Sequence, residues 1–130
     1  EPARVITFKL GGGEAMPAPL QEQIVATPKS PMFGEPDQHQ LGMQRFAENC
    51  HFCHGAFAVS GGVIPDLRWS AISANEQAWD QVVREGALTK QGMVSFAEHL
   101  TKEDTDAIRA YVIQQAWLAV TNGSASAPGG

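Results

Sequence analysis

Apolar positions fall into four patterned stretches separated by polar or glycine- and proline-rich sequence. In Arg4-Val5-Ile6-Thr7-Phe8-Lys9-Leu10, the apolar Ile6, Phe8 and Leu10 alternate with Thr7 and Lys9, and Gly11 follows. That alternation predicts a short strand with one apolar face. A lone strand of this kind is not stable in water, so it reads as a frayed chain end or as the last strand of a sheet elsewhere. Farther along, Met43, Phe46, Ala47 and Cys50 recur at i, i+3, i+4, i+7, which predicts a helix over residues 37–50. Trp79, Val82 and Val83 repeat the period, with Ser73-x-x-Glu76 as a capping box and Gly86 as a stop. Thr101-x-x-Asp104 opens a last and longest helix whose stripe includes Ile108, Tyr111 and Val112. No second strand-like run follows Gly11, so the compact unit is expected to be all-α.

Glycine and proline set its limits. Five of the eight prolines (Pro17, Pro19, Pro28, Pro31, Pro36) and Gly11-Gly12-Gly13 crowd into residues 11–36. Residues 11–35 therefore read as a proline-stiffened linker. The end, NGSASAPGG over residues 122–130, reads as a disordered tail. Residues 36–121 remain as the folded unit.

Composition narrows the function. The chain has 130 residues, 43% apolar and 18% charged, enough for a packed core. A net charge of −5 argues against nucleic acid or an anionic membrane as the main partner, since both call for a basic patch. Ten carboxylates against six basic side chains fall within residues 36–121, and this reads as ordinary solubilising charge. No apolar run approaches the length of a bilayer span, which predicts a soluble chain. The chain opens on Glu1 without a charged-then-apolar leader, which reads as a mature or cut-out piece.

The two cysteines carry the chemistry. Residues 50–54 read Cys-His-Phe-Cys-His, and C-x-x-C-H is the attachment pattern of c-type haem. Two thiols three positions apart at a helix end reach the two vinyl groups on one porphyrin edge. The histidine that follows, His54, is then carried to the iron. Three other readings compete. Zinc calls for a second ligand pair, and His39 and His99 are isolated. A thioredoxin-like dithiol calls for a βαβ setting. A disulfide between residues three apart closes a tiny loop and stabilises little.

Haem predicts a sixth ligand, and Met93 is the candidate. It lies in an irregular stretch, Thr89-Lys90-Gln91-Gly92-Met93-Val94-Ser95-Phe96, between the second and third predicted helices. Met16 and Met32 fall in the linker, and Met43 on the apolar face of the first helix is expected in the core. His99 reads as solvated or capping, and His51 as exposed. A thioether ligand favours Fe(II) and raises the reduction potential. In Gly61-Gly62-Val63-Ile64-Pro65-Asp66-Leu67-Arg68, the Pro65 carbonyl is expected to accept from Nδ1–H of His54. Leu67 is expected to seal the proximal face, and Arg68 or Trp69 to donate to a propionate.

These residues together resemble a class I cytochrome c domain over residues 36–121. The likeness rests on Gly42 and Phe46, Cys50-His51-Phe52-Cys53-His54-Gly55, Pro65-Asp66-Leu67, Gly92-Met93 and Tyr111. In that family the first and last helices cross at a glycine opposite an aromatic, roles that Gly42 and Tyr111 fit. A narrower likeness covers nearly the whole chain. Residues 4–12, the proline-rich linker, the haem motif, Ile64-Pro65-Asp66-Leu67-Arg68 and Gly92-Met93-Val94-Ser95-Phe96 resemble the C-terminal part of quinohaemoprotein alcohol dehydrogenases. In those enzymes a propeller carrying pyrroloquinoline quinone (PQQ) oxidises an alcohol, and the attached cytochrome takes the electrons. The resemblance implies that residues 1–10 end the propeller, and that PQQ and calcium belong to the missing catalytic domain. It implies a periplasmic setting and electron transfer to a blue-copper protein, another cytochrome or the respiratory chain. A freestanding carrier cytochrome and a haem-free metal or redox protein are the competing expectations.

Overall fold

Proline sets where the first helix begins. The structure, a computed structural model, describes residues 10–13, 28–60 and 64–125. Pro36 stands at the start of α1 (Pro36–Asn49), where its missing N–H costs nothing. At Cys50 the chain passes into a single turn, α2 (His51–His54), which Gly55 ends with φ 74°. A Cβ at Gly55 would lie 2.1 Å from the Val59 carbonyl oxygen, so only glycine lets the chain reverse there. Three helices follow: α3 (Ala71–Ala74), α4 (Glu76–Val83) and α5 (Lys102–Ala125). Short 3₁₀ turns at Ala56–Ala58, Leu67–Trp69 and Thr89–Gln91 punctuate the loops. No strand occurs among the described residues, and the unit is all-α.

The main helix–helix contact is between α1 and α5. Gly42 lies at the crossing, where an added Cβ would come within 2.0 Å of the Ala107 carbonyl oxygen and 2.9 Å of the Tyr111 Cβ. One turn on, the Phe46 and Tyr111 rings sit 5.4 Å apart in a tilted arrangement. Cys50, Trp79, Val83, Ile108 and Val112 complete a continuous core, and the Trp79 indole N–H donates to the Thr105 carbonyl at 3.0 Å.

Several boundaries differ from the sequence expectation. The buried stripe of α1 is Gly42, Phe46 and Cys50, while Met43 is 49% exposed and Ala47 is exposed. The close approach at Gly42 turns that line toward α5, which leaves Met43 at the rim. The cap of α4 is Asn75, whose side chain accepts from Ala78 N–H at 2.9 Å, and not Ser73. Ser73 is taken up in α3, where its hydroxyl donates to the Ser70 carbonyl at 2.8 Å. At the start of α5 the predicted capping box forms, with Thr101 N–H to Asp104 Oδ2 at 3.0 Å and Asp104 N–H to Thr101 Oγ1 at 3.1 Å. The helix then runs to Ala125, four residues past the expected end of the folded unit.

Part of the expected linker is packed on the helices. The Trp117 indole donates to the Ser30 carbonyl at 3.0 Å, and the Arg109 guanidinium lies 4.7 Å over the Phe33 ring. His39 donates through Nε2 to the Phe33 carbonyl at 2.8 Å and accepts at Nδ1 from Gln114 at 3.0 Å. Residues 28–35 thus form a strap on α1 and α5. The predicted strand falls on residues outside those described, except Leu10, which is exposed in a turn. Residues 14–27 and 126–130 lie outside them as well.

Candidate functional site

The helical turn that ends α1 brings the motif together. Cys50 N–H donates to the Phe46 carbonyl at 2.8 Å, and the Cys50 carbonyl accepts from Cys53 at 3.2 Å and His54 at 3.0 Å. One thiol therefore points into the core and the other to the surface: Cys50 is buried, Cys53 exposed, and both are unpaired. Burial, helped by the neighbouring Cys53, pushes the Cys50 thiol up to about 12. A thiol held protonated in this way is not the activated thiolate of a dithiol redox site. The dithiol reading therefore lacks support. Among the described residues no group of three or more His, Cys, Asp or Glu is placed to hold a metal ion.

His54 is half-buried, and its Nδ1 is buried without a hydrogen-bond partner. Burial pushes its pKa down, which favours the neutral imidazole that can ligate. The expected bond from Nδ1 to the Pro65 carbonyl is not made in this structure. Ser60 Oγ holds the neighbouring Ile64 carbonyl, and Pro65 faces solvent. Asp80 Oδ1 and Arg84 Nε share the unpartnered state of His54 Nδ1 among the described residues, each at a cost of about 1–3 kcal/mol.

Met93 packs against the core that contains Cys50, together with Leu67, Ile72 and Phe96. Gly92, with φ 96°, supplies the left-handed turn before it, and Met93 N–H donates to the Leu88 carbonyl at 3.2 Å. Leu67 is partly buried against the same core. Arg68 is largely occupied: its Nε and Nη2 donate to Asp66 at 2.9 and 2.7 Å, and its guanidinium lies 5.3 Å over Trp69. Burial alone would push the Asp66 carboxyl up, but Arg68 more than offsets this and holds it below its usual range. Nη1 and the second N–H of Nη2 are left for a propionate. His51 and His99 are exposed, Met32 is half-exposed, and Met16 lies outside the described residues.

Sequence reasoning did not anticipate two features. Phe57 and Ala58 both take positive φ, 58° and 60°, in the loop after the motif. This buries Ala58 and leaves Phe57 63% exposed; no sequence signal marks it, because neither residue type favours that region. Ile72 of α3 packs against the same core as Met93, from a helix too short for any period to reveal. A groove of about 480 Å³ between α1 and α5, walled by Met43, Tyr111 and Leu118, contains neither thiol, His54 nor Met93. The donor set itself fits a c-type haem: two unpaired thiols and an imidazole on one helical turn, and a thioether packed against the same core as Cys50.

Comparison with known proteins agrees. The chain is 36% identical over 115 residues to the quinohemoprotein alcohol dehydrogenase ADH IIB of Pseudomonas putida, covering 87% of this chain and 16% of that protein. It is 34% identical over 114 residues to the dehydrogenase subunit of a quinone-type alcohol dehydrogenase of Gluconobacter oxydans, covering 88% and 15%. The solved structure of quinohemoprotein alcohol dehydrogenase ADHIIG from Pseudomonas putida matches with a TM-score of 0.63 at 32% identity, over 84% of this chain and 16% of that one. The chain thus spans about a sixth of the length of these relatives. The family described as cytochrome c oxidase, cbb3-type, subunit III matches residues 37–112, more than half of the chain. The chain belongs to that cytochrome c family, and its chemistry is electron transfer.

Proposed function

We propose that this chain is the electron-transfer domain of a PQQ-dependent alcohol dehydrogenase, carrying one covalent haem c. Cys50 and Cys53 hold the porphyrin through thioethers, each S–H adding across a vinyl C=C so that no oxidant is consumed. His54 and Met93 are the axial ligands. The C-x-x-C-H turn carries the reading: it sets two unpaired thiols and the His54 ring on one helical turn, with Met93 packed against the core that holds Cys50. A bound haem c supplies one-electron exchange between Fe(III) and Fe(II). The protein excludes water, holds both ligands and sets the potential. Leu67, with Ile72 and Phe96, provides apolar cover, and Arg68 offers its remaining N–H groups to a propionate. No substrate bond is made or broken here, so no general base or nucleophile is required. Electrons come from reduced PQQ in the catalytic domain of the longer protein and leave to a periplasmic acceptor: a blue-copper protein, a cytochrome or the respiratory chain.

The test has three steps. The chain produced with haem maturation is expected to be pink-red, with a Soret band that survives acid–acetone extraction. Met93→Ala is expected to lower the reduction potential and abolish the weak sulfur-to-iron band of the oxidised state. In the longer protein, an alcohol is expected to reduce the haem only when PQQ is present. A colourless product, an unchanged Met93→Ala spectrum, or haem reduction without PQQ would each overturn the corresponding part.

A further inference from the structure

We propose that Ser95 is the positioning residue for Met93, holding the methionine loop against the end of α4. The inference rests on Met93 as the sixth ligand. Upstream, the bonds are local to the loop itself, with Gln91 N–H donating to the Leu88 carbonyl at 2.9 Å and Gly92 N–H to the Thr89 carbonyl at 3.1 Å. Met93 has one backbone bond, to Leu88 at 3.2 Å, and Gly92 before it has open space where a side chain would stand. Downstream, the chain is sewn to α4 at two successive points. Phe96 N–H donates to the Val83 carbonyl at 2.8 Å, and the Ser95 hydroxyl donates to the Arg84 carbonyl. The same Ser95 oxygen accepts from Ala97 N–H at 3.3 Å, which orients the hydroxyl.

Val83 and Arg84 close α4, and carbonyls at a helix C-terminus have no partner farther along the helix. The loop satisfies them and is held in return. Gly86, with φ 72°, makes the approach possible: a Cβ there would stand 3.2 Å from the Ser95 Cβ and 2.7 Å from Thr89 Oγ1. Val83 is itself buried in the core, so the seam ties Met93 to a rigid anchor. A neutral thioether is a weak ligand, and its occupancy depends on how firmly its loop is placed. Supporting bonds of this kind shift metal affinity by about 10–100-fold in the strongest cases.

The experiment uses the haem-loaded chain and titrates imidazole as a competitor for the sixth position. Ser95→Ala is expected to bind imidazole about fivefold more tightly, the weight of one hydrogen bond. Its sulfur-to-iron band is expected to disappear at correspondingly lower imidazole. Ser95→Thr keeps the hydroxyl and is expected to restore the parent affinity. A role confined to folding would lower the denaturation midpoint and leave imidazole affinity unchanged; that result overturns the proposal. So does a Ser95→Thr variant that behaves like the alanine. Loss of the ligand reading is seen separately, as a Met93→Ala protein that keeps its band.

Discussion

Gly42 and Cys50 share the buried stripe of α1, about two turns apart, and they make opposite demands on it. At Gly42 the neighbour is backbone, with the Ala107 carbonyl carbon 2.6 Å from where a methyl would stand. Backbone on a helix cannot step aside as a side chain can. Gly42→Ala is therefore expected to cost about 3 kcal/mol, at the upper end of overpacking penalties, read as a drop in the urea midpoint. A cost below about 1 kcal/mol would mean the two helices part easily. At Cys50 the demand is chemical. With its thiol pushed up to about 12, Cys50 stays almost wholly protonated at pH 8. In the haem-free chain, iodoacetamide at pH 8 is expected to alkylate the exposed Cys53 and spare Cys50, as peptide mass mapping would record. Equal labelling would contradict the burial.

The ends of α5 decide how the helices are held as a set. At its start, the Thr101 hydroxyl and N–H, aided by Arg45, hold the Asp104 carboxyl below the usual carboxylate range. A depressed folded pKa means the contribution is present above the unfolded value near ~4 and fades as pH falls through the lower folded one. Asp104→Asn is thus expected to lose about 1 kcal/mol at pH 7. The gap to the parent should narrow as pH falls below the usual carboxylate range, checked by urea melts across the acid range. Lys102 links α5 to Glu76 and Asp80 of α4, but on an exposed surface such pairs add little. Toward the other end, Trp117 and Arg109 hold the strap of residues 28–35. Trp117→Phe removes the donor to Ser30 while keeping an aromatic ring. Amide exchange in residues 28–35 is expected to accelerate about fivefold, with the core of α5 unchanged. Uniform acceleration would show that the strap and the helix open as one unit.

For the molecule as a whole, the core is modest. Apolar surface at Leu67, Met93 and Phe96 is only partly buried against it. A domain this small has a thin stability margin from its own side chains. Covering about 200 Å² of apolar surface with a bound haem corresponds to about 5 kcal/mol. Cys50→Ala/Cys53→Ala, which removes covalent attachment, is expected to lose haem on acid–acetone extraction. Its haem-free form is expected to melt at least 20 °C below the loaded parent, by calorimetry. Equal melting temperatures would place the haem outside the stabilising core.

Local chemistry was legible without coordinates. The C-x-x-C-H spacing, the Thr101–Asp104 box and the 3.6-residue period of the helices are rules about neighbours in sequence, and each is satisfied within one or two turns. The all-α class followed from the absence of alternation after Gly11. What sequence could not assign depends on distant partners. Met43 lies at a rim because Gly42 draws α5 to the adjacent line, and Ser73 lost its capping role to a four-residue helix whose energy comes from packing. The strap counted as linker because proline spacing says nothing about Trp117, which lies 87 residues from Ser30. The pairing of Ser95 with the end of α4 is of the same kind: a hydroxyl declares what it can donate, and only the fold decides which carbonyl is near enough to receive it.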